Sequence, residues 1–136
     1  MMTIEDTHTT PPANPSRALH ITLWVLQILL AAFFLLAAAI PKLLGDQAAV
    51  EGFDIIGLGQ WFRYFVGVLE LAGAVGLLLP RLAGLAALGL AGVMVGATIT
   101  NIFVFHDGSA TAITVALFIL LCLVAWGRSR TKALKT

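Results

Sequence analysis

Charge and cysteine are both scarce in this chain. Of its 136 residues, 11% are charged and 60% are hydrophobic, and Cys122 is the single cysteine. So few polar groups cannot cover the surface of a small water-soluble domain, which excludes a soluble globular protein. One cysteine excludes both an internal disulfide and a C-x-x-C redox pair. The composition therefore predicts a membrane protein that has no dithiol chemistry of its own.

Basic clusters and nucleotide-binding motifs are missing as well. The net charge is +1 and no Lys/Arg cluster alternates with aromatic residues, so nucleic acid is excluded as a partner. The sequence has no P-loop, dinucleotide fingerprint, haem-attachment motif or nucleophile motif. The spacing of His106, Asp107, Glu51 and Glu70 matches no zinc or di-iron pattern, so no metal is expected. Any catalysis would have to use Glu70, Arg63 and His106 with a bound substrate or cofactor.

Long apolar stretches fill most of the chain. A transmembrane helix needs about 20 mostly apolar residues, with about 17 as the short limit. Four stretches reach this length and together contain two formal charges, Arg63 and Glu70; they cover residues 19–40, 62–79, 82–105 and 110–126. Because the later turns are short, neighbours in sequence should be antiparallel neighbours in space. We predict an all-α membrane protein with an up-down-up-down bundle of four transmembrane helices within 18–127.

The segments outside these stretches are polar. Residues 1–17 contain three prolines without apolar periodicity, which predicts a disordered tail. A signal peptide is the alternative for the N-terminal region, although its apolar core should be shorter than 19–40. Residues 41–61 form the longest connection, with room for a short surface helix over 47–53. Residues 128–136 form a basic tail.

The distribution of Lys and Arg predicts the orientation in the membrane. Short loops rich in these residues stay on the cytoplasmic side. With the N-terminus inside, the inner side has six of them and the outer side has two, Lys42 and Arg63; the inner six are Arg17, Arg81, Arg128, Arg130, Lys132 and Lys135. We therefore expect both termini in the cytoplasm and loop 41–61 outside.

Glu70 is the most informative position, because it lies about 13 Å below Trp61 on a helix and thus near the bilayer midplane. A carboxylate at that depth costs roughly 2.5 to 3.5 kcal/mol, so such residues face the bundle interior and often mark a site. Arg63 lies two turns earlier on the same face and can point towards Glu70. A structural ion pair, or a protonated Glu70 that fastens helices together, is the alternative to a ligand or proton site.

Further polar residues fall in the same outer half of the membrane. They are Lys42, Thr98, Thr100, Asn101, His106, Asp107, Thr111 and Thr114. We predict an outward-opening polar cavity above Glu70, with Lys42, Thr98, Asn101 and His106 as ligand-binding candidates. Each Thr can instead bond to its own helix, and His106 can simply cap a helix. Trp61 and Tyr64 suit membrane anchoring or the wall of a flat hydrophobic site.

Gly92 and Gly96 form a G-x-x-x-G pattern on the third stretch. Small residues let helix backbones approach closely in lipid. The pattern favours packing inside the bundle, and a homodimer or protein-partner interface is the alternative.

One set of motifs resembles a known family. The run PKLLG, followed by EGFDIIGLGQWFRYFVGVLELAGAVGLLLPRLAGLAALGL, is similar to the DoxX-like family of small four-helix membrane proteins over about residues 20–126. The most specific positions are Lys42-Leu43, the stretch 62–65, Gly67, Glu70 and the turn that ends at Arg81. On this resemblance, Lys42, Arg63 and Glu70 fall on the polar signature of the family, and the location would be a bacterial cytoplasmic membrane.

Two kinds of function follow from the resemblance. Members of the family look like membrane subunits of quinone-linked sulfur or thiol oxidation systems, which predicts an accessory redox subunit with a quinone as candidate cofactor. Distant relatives act as assembly helpers, which predicts a scaffold that docks a protein partner. A small enzyme or exporter with Glu70 as proton acceptor is a third hypothesis.

Overall fold

The computed structural model describes the backbone of residues 15–134 and the side chains of residues 17–131. In order, the chain forms α1 (Pro15–Phe33), a π-helical segment (Phe34–Ala39), α2 (Ile40–Leu44), α3 (Gln47–Ile56), α4 (Gln60–Leu77), α5 (Ala83–Thr100), a second π-helical segment (Asn101–Phe105) and α6 (Gly108–Leu134). The first π-helical segment joins α1 to α2 in one continuous helix, and the second π-helical segment continues α5. Residues 15–134 therefore make five helices and no strand. This confirms the all-α prediction. Most of the predicted disordered tail, 1–14, lies outside the described residues.

Three helices in the described part of the chain are long and apolar enough to cross a membrane. They cover Arg17–Leu44, Ala83–Phe105 and Gly108–Thr131. Helix α4, the predicted second span, is not among them, because Gln60, Arg63, Tyr64 and Glu70 reduce its apolar character. The prediction of four spans is therefore supported for three of them and stays a prediction for α4. Large apolar side chains on the outer surface, such as Leu85 and Phe103, are exposed and suit contact with lipid.

The four long helical segments pack antiparallel in chain order. Between α1–α2 and α4, Gln27 bonds to Leu77 while the later Lys42 meets the earlier Glu70. Between α5 and α6, Thr98 bonds to Thr114, and Gly84 lies against Arg128 at the opposite end. These helices run antiparallel, as the short turns predict, whereas the bundle of four membrane spans stays a prediction.

The core lies where these helices meet, and small residues bring them close. Phe34, Leu77, Leu90 and Leu121 are fully or almost fully buried. A Cβ added at Gly73 would lie 2.5 Å from the side chain of Leu90. Without a hydrophobic force between helices in lipid, such close van der Waals contact is what holds them together.

Three helix ends around α2, α3 and the second π-helical segment are set by residues in the left-handed conformation. Gly45 (φ 75°) ends α2 and Gly57 (φ 83°) ends α3, as expected for a residue without a Cβ. His106 (φ 51°) ends the second π-helical segment, and its N–H donates to the carbonyl of Asn101. The surface helix expected over 47–53 is present as α3 and runs on to Ile56. The predicted tail 128–136 begins inside α6.

Candidate functional site

An ion pair between Lys42 and Glu70 joins α2 to the middle of α4. The Nζ atom of Lys42 donates to Oε1 of Glu70 over 3.3 Å and lies 3.0 Å from Oε2. Both carboxylate oxygens therefore face the ammonium, and the buried Oε2 accepts no hydrogen bond from any other described residue. Glu70 is 2% exposed. The pair thus neutralises its own charge, while the Glu70 carboxylate keeps lone pairs for a further hydrogen bond.

Gly67 allows Lys42 to reach this position. It lies one turn before Glu70 on the same face of α4, and a Cβ there would meet the side chain of Leu43 at 3.0 Å and Cβ of Lys42 at 3.2 Å. Any side chain would therefore push α2 away from α4. The Lys42-Leu43 and Gly67-x-x-Glu70 motifs are thus two sides of one helix contact.

Arg63 holds the backbone that carries Lys42 and does not contact Glu70, although their spacing on α4 allowed a direct or water-mediated contact. Its Nη1 donates to the carbonyl of Lys42 in the last turn of α2, where carbonyls lack helical partners. Its Nε donates to Oε1 of Gln60 over 2.6 Å, and Nε2 of Gln60 donates to Asp54 over 2.6 Å. This chain of bonds ties α2, α3 and α4 together, so Arg63 positions the backbone that carries Lys42.

A cavity of about 600 Å³ lies beside the ion pair, between α4 and α5 and beneath α3. Its size falls in the usual range for small-molecule sites. Lys42 and Glu70 are the charged residues in its lining, and Thr100 and Asn101 are its uncharged polar residues. The remaining lining is apolar or glycine, with four phenylalanines: Phe53, Phe62, Phe65 and Phe105. In the following text, this space is called the Glu70 cavity.

One π-helical segment lines the Glu70 cavity, and the other holds the Lys42 side chain that lines it. The first, Phe34–Ala39, ends shortly before Lys42, and the carbonyl of Ala38 accepts a bond of 3.3 Å from Nζ of that residue. The second begins at Asn101 and ends at Phe105, both of which line the cavity. Helices widened in this way often occur at functional sites.

The structure places the other predicted site residues outside the Glu70 cavity. Trp61 and Tyr64 are 65% and 49% exposed, and Arg63 stacks over the Tyr64 ring at 4.2 Å. Thr98 bonds to the carbonyl of Met94 and to Thr114, which joins α5 to α6. His106 is exposed at the turn before α6. Of the eight candidate residues, Lys42, Glu70 and Asn101 therefore line the cavity. Arg63 bonds to the backbone of Lys42.

The aromatic and glycine walls of the cavity were missed by sequence reasoning. Gly89, Gly92 and Gly96 line it, and a Cβ added at any of the three would have no atom within 4 Å. They therefore do not pack against another helix in the described part of the chain, although the G-x-x-x-G pattern favoured such packing. Phe62 and Phe65 lie three residues apart in the sequence. This spacing was the feature from which an apolar face of α4 that does not meet α1 could have been predicted.

A second buried polar cluster lies at the other end of the bundle, around Arg128. The Nε atom of Arg128 donates to Oε1 of Gln27, and Nε2 of Gln27 donates to the carbonyl of Leu77 over 2.6 Å. Nη1 of Arg128 lies 3.2 Å from Nδ1 of His20, and the guanidinium lies 5.4 Å from the Trp24 ring centroid. Sequence reasoning placed Arg128 in the basic tail; in the structure it is 5% exposed and joins α1, α4 and α6.

No cluster of three or more His, Cys, Asp and Glu side chains with a metal-binding arrangement is found over residues 15–134. The polar groups that line the Glu70 cavity are one carboxylate, one ammonium, one amide and one hydroxyl. Such a set suits hydrogen bonding to a polar organic group.

Comparison with known proteins agrees with the arrangement of these motifs. No curated protein and no solved structure matches the chain significantly. The model of the DoxX-like family matches residues 25–125, a range that contains the ion pair, the glycine contact and the whole cavity. With its three apolar spans, this chain is a multi-pass membrane protein that belongs to the DoxX-like family.

Proposed function

We propose that this protein is an accessory subunit of a quinone- or thiol-linked membrane redox system, and that it binds a quinone-like molecule in the Glu70 cavity. The proposal includes α4 as a fourth span, with both termini in the cytoplasm of a bacterial cell. Glu70, Lys42 and Asn101 hold the polar groups of the ligand, and the phenylalanines hold its ring. Arg63 keeps Lys42 in place.

The observation that carries this proposal is the internally neutral ion pair in the wall of a mostly apolar cavity, with Glu70 buried and Lys42 20% exposed. Burying charges is costly unless their remaining donors and acceptors are satisfied. Lys42 shares its protons among the Ala38 carbonyl and the two oxygens of Glu70, and those oxygens keep lone pairs that no other described residue uses. A ring hydroxyl would donate to this carboxylate and a ring carbonyl would accept from the Asn101 amide, while the surrounding apolar wall accepts the carbon atoms of the ring.

The test compares the small molecules that co-purify with three forms of the protein in mild detergent. Mass spectrometry should find a stoichiometric quinone-like molecule in the wild type and much less in Glu70→Gln. The control Glu51→Gln makes the same chemical change on the exposed face of α3 and should keep full occupancy. Equal occupancy in a folded Glu70→Gln variant, or no such molecule in the wild type, would overturn the proposal.

A scaffold function is the second candidate, favoured by the unoccupied face of Gly92 and Gly96. Because a Cβ at either residue would meet nothing within 4 Å, a helix of a partner or of a second copy has room to approach. In that case Gly92→Leu should prevent cross-linking to the partner while Glu70→Gln leaves it unchanged. The ligand hypothesis expects both substitutions to reduce ligand occupancy.

A further inference from the structure

An apolar groove continues from the Glu70 cavity along the outside of α4 and α5. Its volume is about 260 Å³, and it is lined by apolar residues and glycines. Ala72, Leu82 and Leu85 line the groove alone, whereas Leu69, Gly89 and Val93 line both the groove and the cavity. The two spaces therefore meet at these three shared residues.

Gly89 keeps this junction open. It is exposed, and a Cβ built on it would have no atom within 4 Å. From Val93 to Leu85 the groove follows α5 for about 12 Å, at 1.5 Å per residue. Leu85, near its far end, is 70% exposed and faces the lipid side. A chain attached to a molecule in the cavity can therefore lie in the groove, in contact with lipid along α4 and α5.

The charges of the cavity decide which kind of amphiphile fits. Lys42 and Glu70 offset each other, and no further charged residue lines the cavity or the groove. A phosphate headgroup would place an uncompensated negative charge next to the Glu70 carboxylate, at a cost that a low-dielectric site makes large. An uncharged ring head avoids this cost.

Building on the proposed function, we propose that the ligand is a neutral, ring-headed amphiphile whose apolar chain lies in the groove of α4 and α5. The head occupies the Glu70 cavity and the chain leaves it at Gly89. Affinity then depends on the chain as well as on the ring.

The experiment measures binding of 1,4-benzoquinones that carry no, one, two or three isoprene units to the full-length protein in detergent, by native mass spectrometry. We expect affinity to rise about tenfold from the chainless compound to the length that fills the groove, which corresponds to 1.4 kcal/mol. Beyond that length affinity should stay constant, because additional units would contact detergent or lipid. An affinity that is independent of chain length would overturn the proposal.

Two matched variants locate the chain. Ala72→Trp adds a large side chain at a residue that lines the groove and does not line the Glu70 cavity. It should remove the dependence on chain length while leaving the chainless compound bound as in the wild type. Ala116→Trp places the same side chain on an exposed part of α6 that lines neither space and should behave as the wild type. A chain-length dependence that survives in folded Ala72→Trp would place the chain elsewhere and contradict the assignment.

Other occupants of the groove give different results. Displacement of the quinone by phosphatidylglycerol would assign the groove to a phospholipid, and loss of a dimer in Ala72→Trp, seen by light scattering, would assign it to a second copy. Either result overturns the proposal. Failure of the proposed function gives a different result. In that case even the chainless compound does not bind in a Glu70-dependent way, and both proposals are wrong.

Discussion

Lys42 and Glu70 form an ion pair with a shortest N–O distance of 3.0 Å although 28 residues separate them in the chain. The glutamate is almost fully buried, whereas the lysine side chain remains 20% exposed. Because of this difference in exposure, substitutions of the two residues should lower the free energy of unfolding by different amounts.

Lys42→Met should destabilise the protein by about 3 kcal/mol, because it leaves the Glu70 carboxylate buried without its cation. Glu70→Gln should cost only about 1 kcal/mol, since the amide oxygen can still accept a hydrogen bond and Lys42 can extend its ammonium towards water. Denaturant unfolding in detergent measures both. The double substitution Lys42→Met with Glu70→Leu should recover part of the loss, and equal effects of the two single variants would contradict this account.

The Gln27–Arg128 contact should contribute to stability at the other end of the bundle. Gln27→Leu removes the acceptor of Arg128 Nε and the donor to the Leu77 carbonyl, both buried, and should cost about 2 kcal/mol. A double-mutant cycle with Arg128→Met should show coupling between the two residues. Arg130→Met is the control, because Arg130 is exposed and meets only the Trp126 ring. Additive effects of Gln27→Leu and Arg128→Met would show that the contact is not energetically important.

Alanine substitutions should separate the packed glycines from the open ones. Gly73→Ala places a Cβ 2.5 Å from the buried Leu90 side chain, so we expect a loss of about 2 kcal/mol from overpacking. Gly92→Ala meets open space and should stabilise α5 by about 0.5 kcal/mol through the reduced freedom of the unfolded chain. Thermal unfolding of the two variants gives the comparison. A stable Gly73→Ala would mean that α4 and α5 are farther apart than the structure has them.

The proposed orientation can be tested with single cysteines in a Cys122→Ala background. Leu58→Cys and Ser109→Cys should react with an impermeant thiol reagent in intact cells, because the proposal places both outside. Arg81→Cys and Ser129→Cys should react only after permeabilisation. The Leu58–Arg81 pair tests α4 directly: if both sites react from the same side, α4 does not cross the membrane.

Much of the fold could be predicted from the residue types in short segments of the sequence. Long apolar stretches predicted the three long apolar helices, since only a backbone that satisfies its own hydrogen bonds is stable in lipid. The short turn at His106 and Asp107 marked the end of one helix and the start of the next. The low charge of the chain made Glu70 stand out, and the structure places that residue in the wall of a cavity of about 600 Å³.

The partner of Glu70 could not be read from spacing along one helix. Arg63 has the right register on α4, yet the approach of α2 over Gly67 brings Lys42 to the carboxylate and directs Arg63 to the α2 carbonyl. That choice depends on how two helices cross, which is a property of packing between distant segments.

The sequence by itself determined that the chain is an apolar helical protein with a costly carboxylate in the middle of a helix, because composition and periodicity act locally. Only the tertiary structure decided that α3 covers a cavity, that Gly92 and Gly96 face open space, and that Arg128 is buried against Gln27. Each of these depends on which surfaces meet when the helices pack. Contacts of that kind come from the shapes of residues far apart in the chain, and no local pattern encodes them.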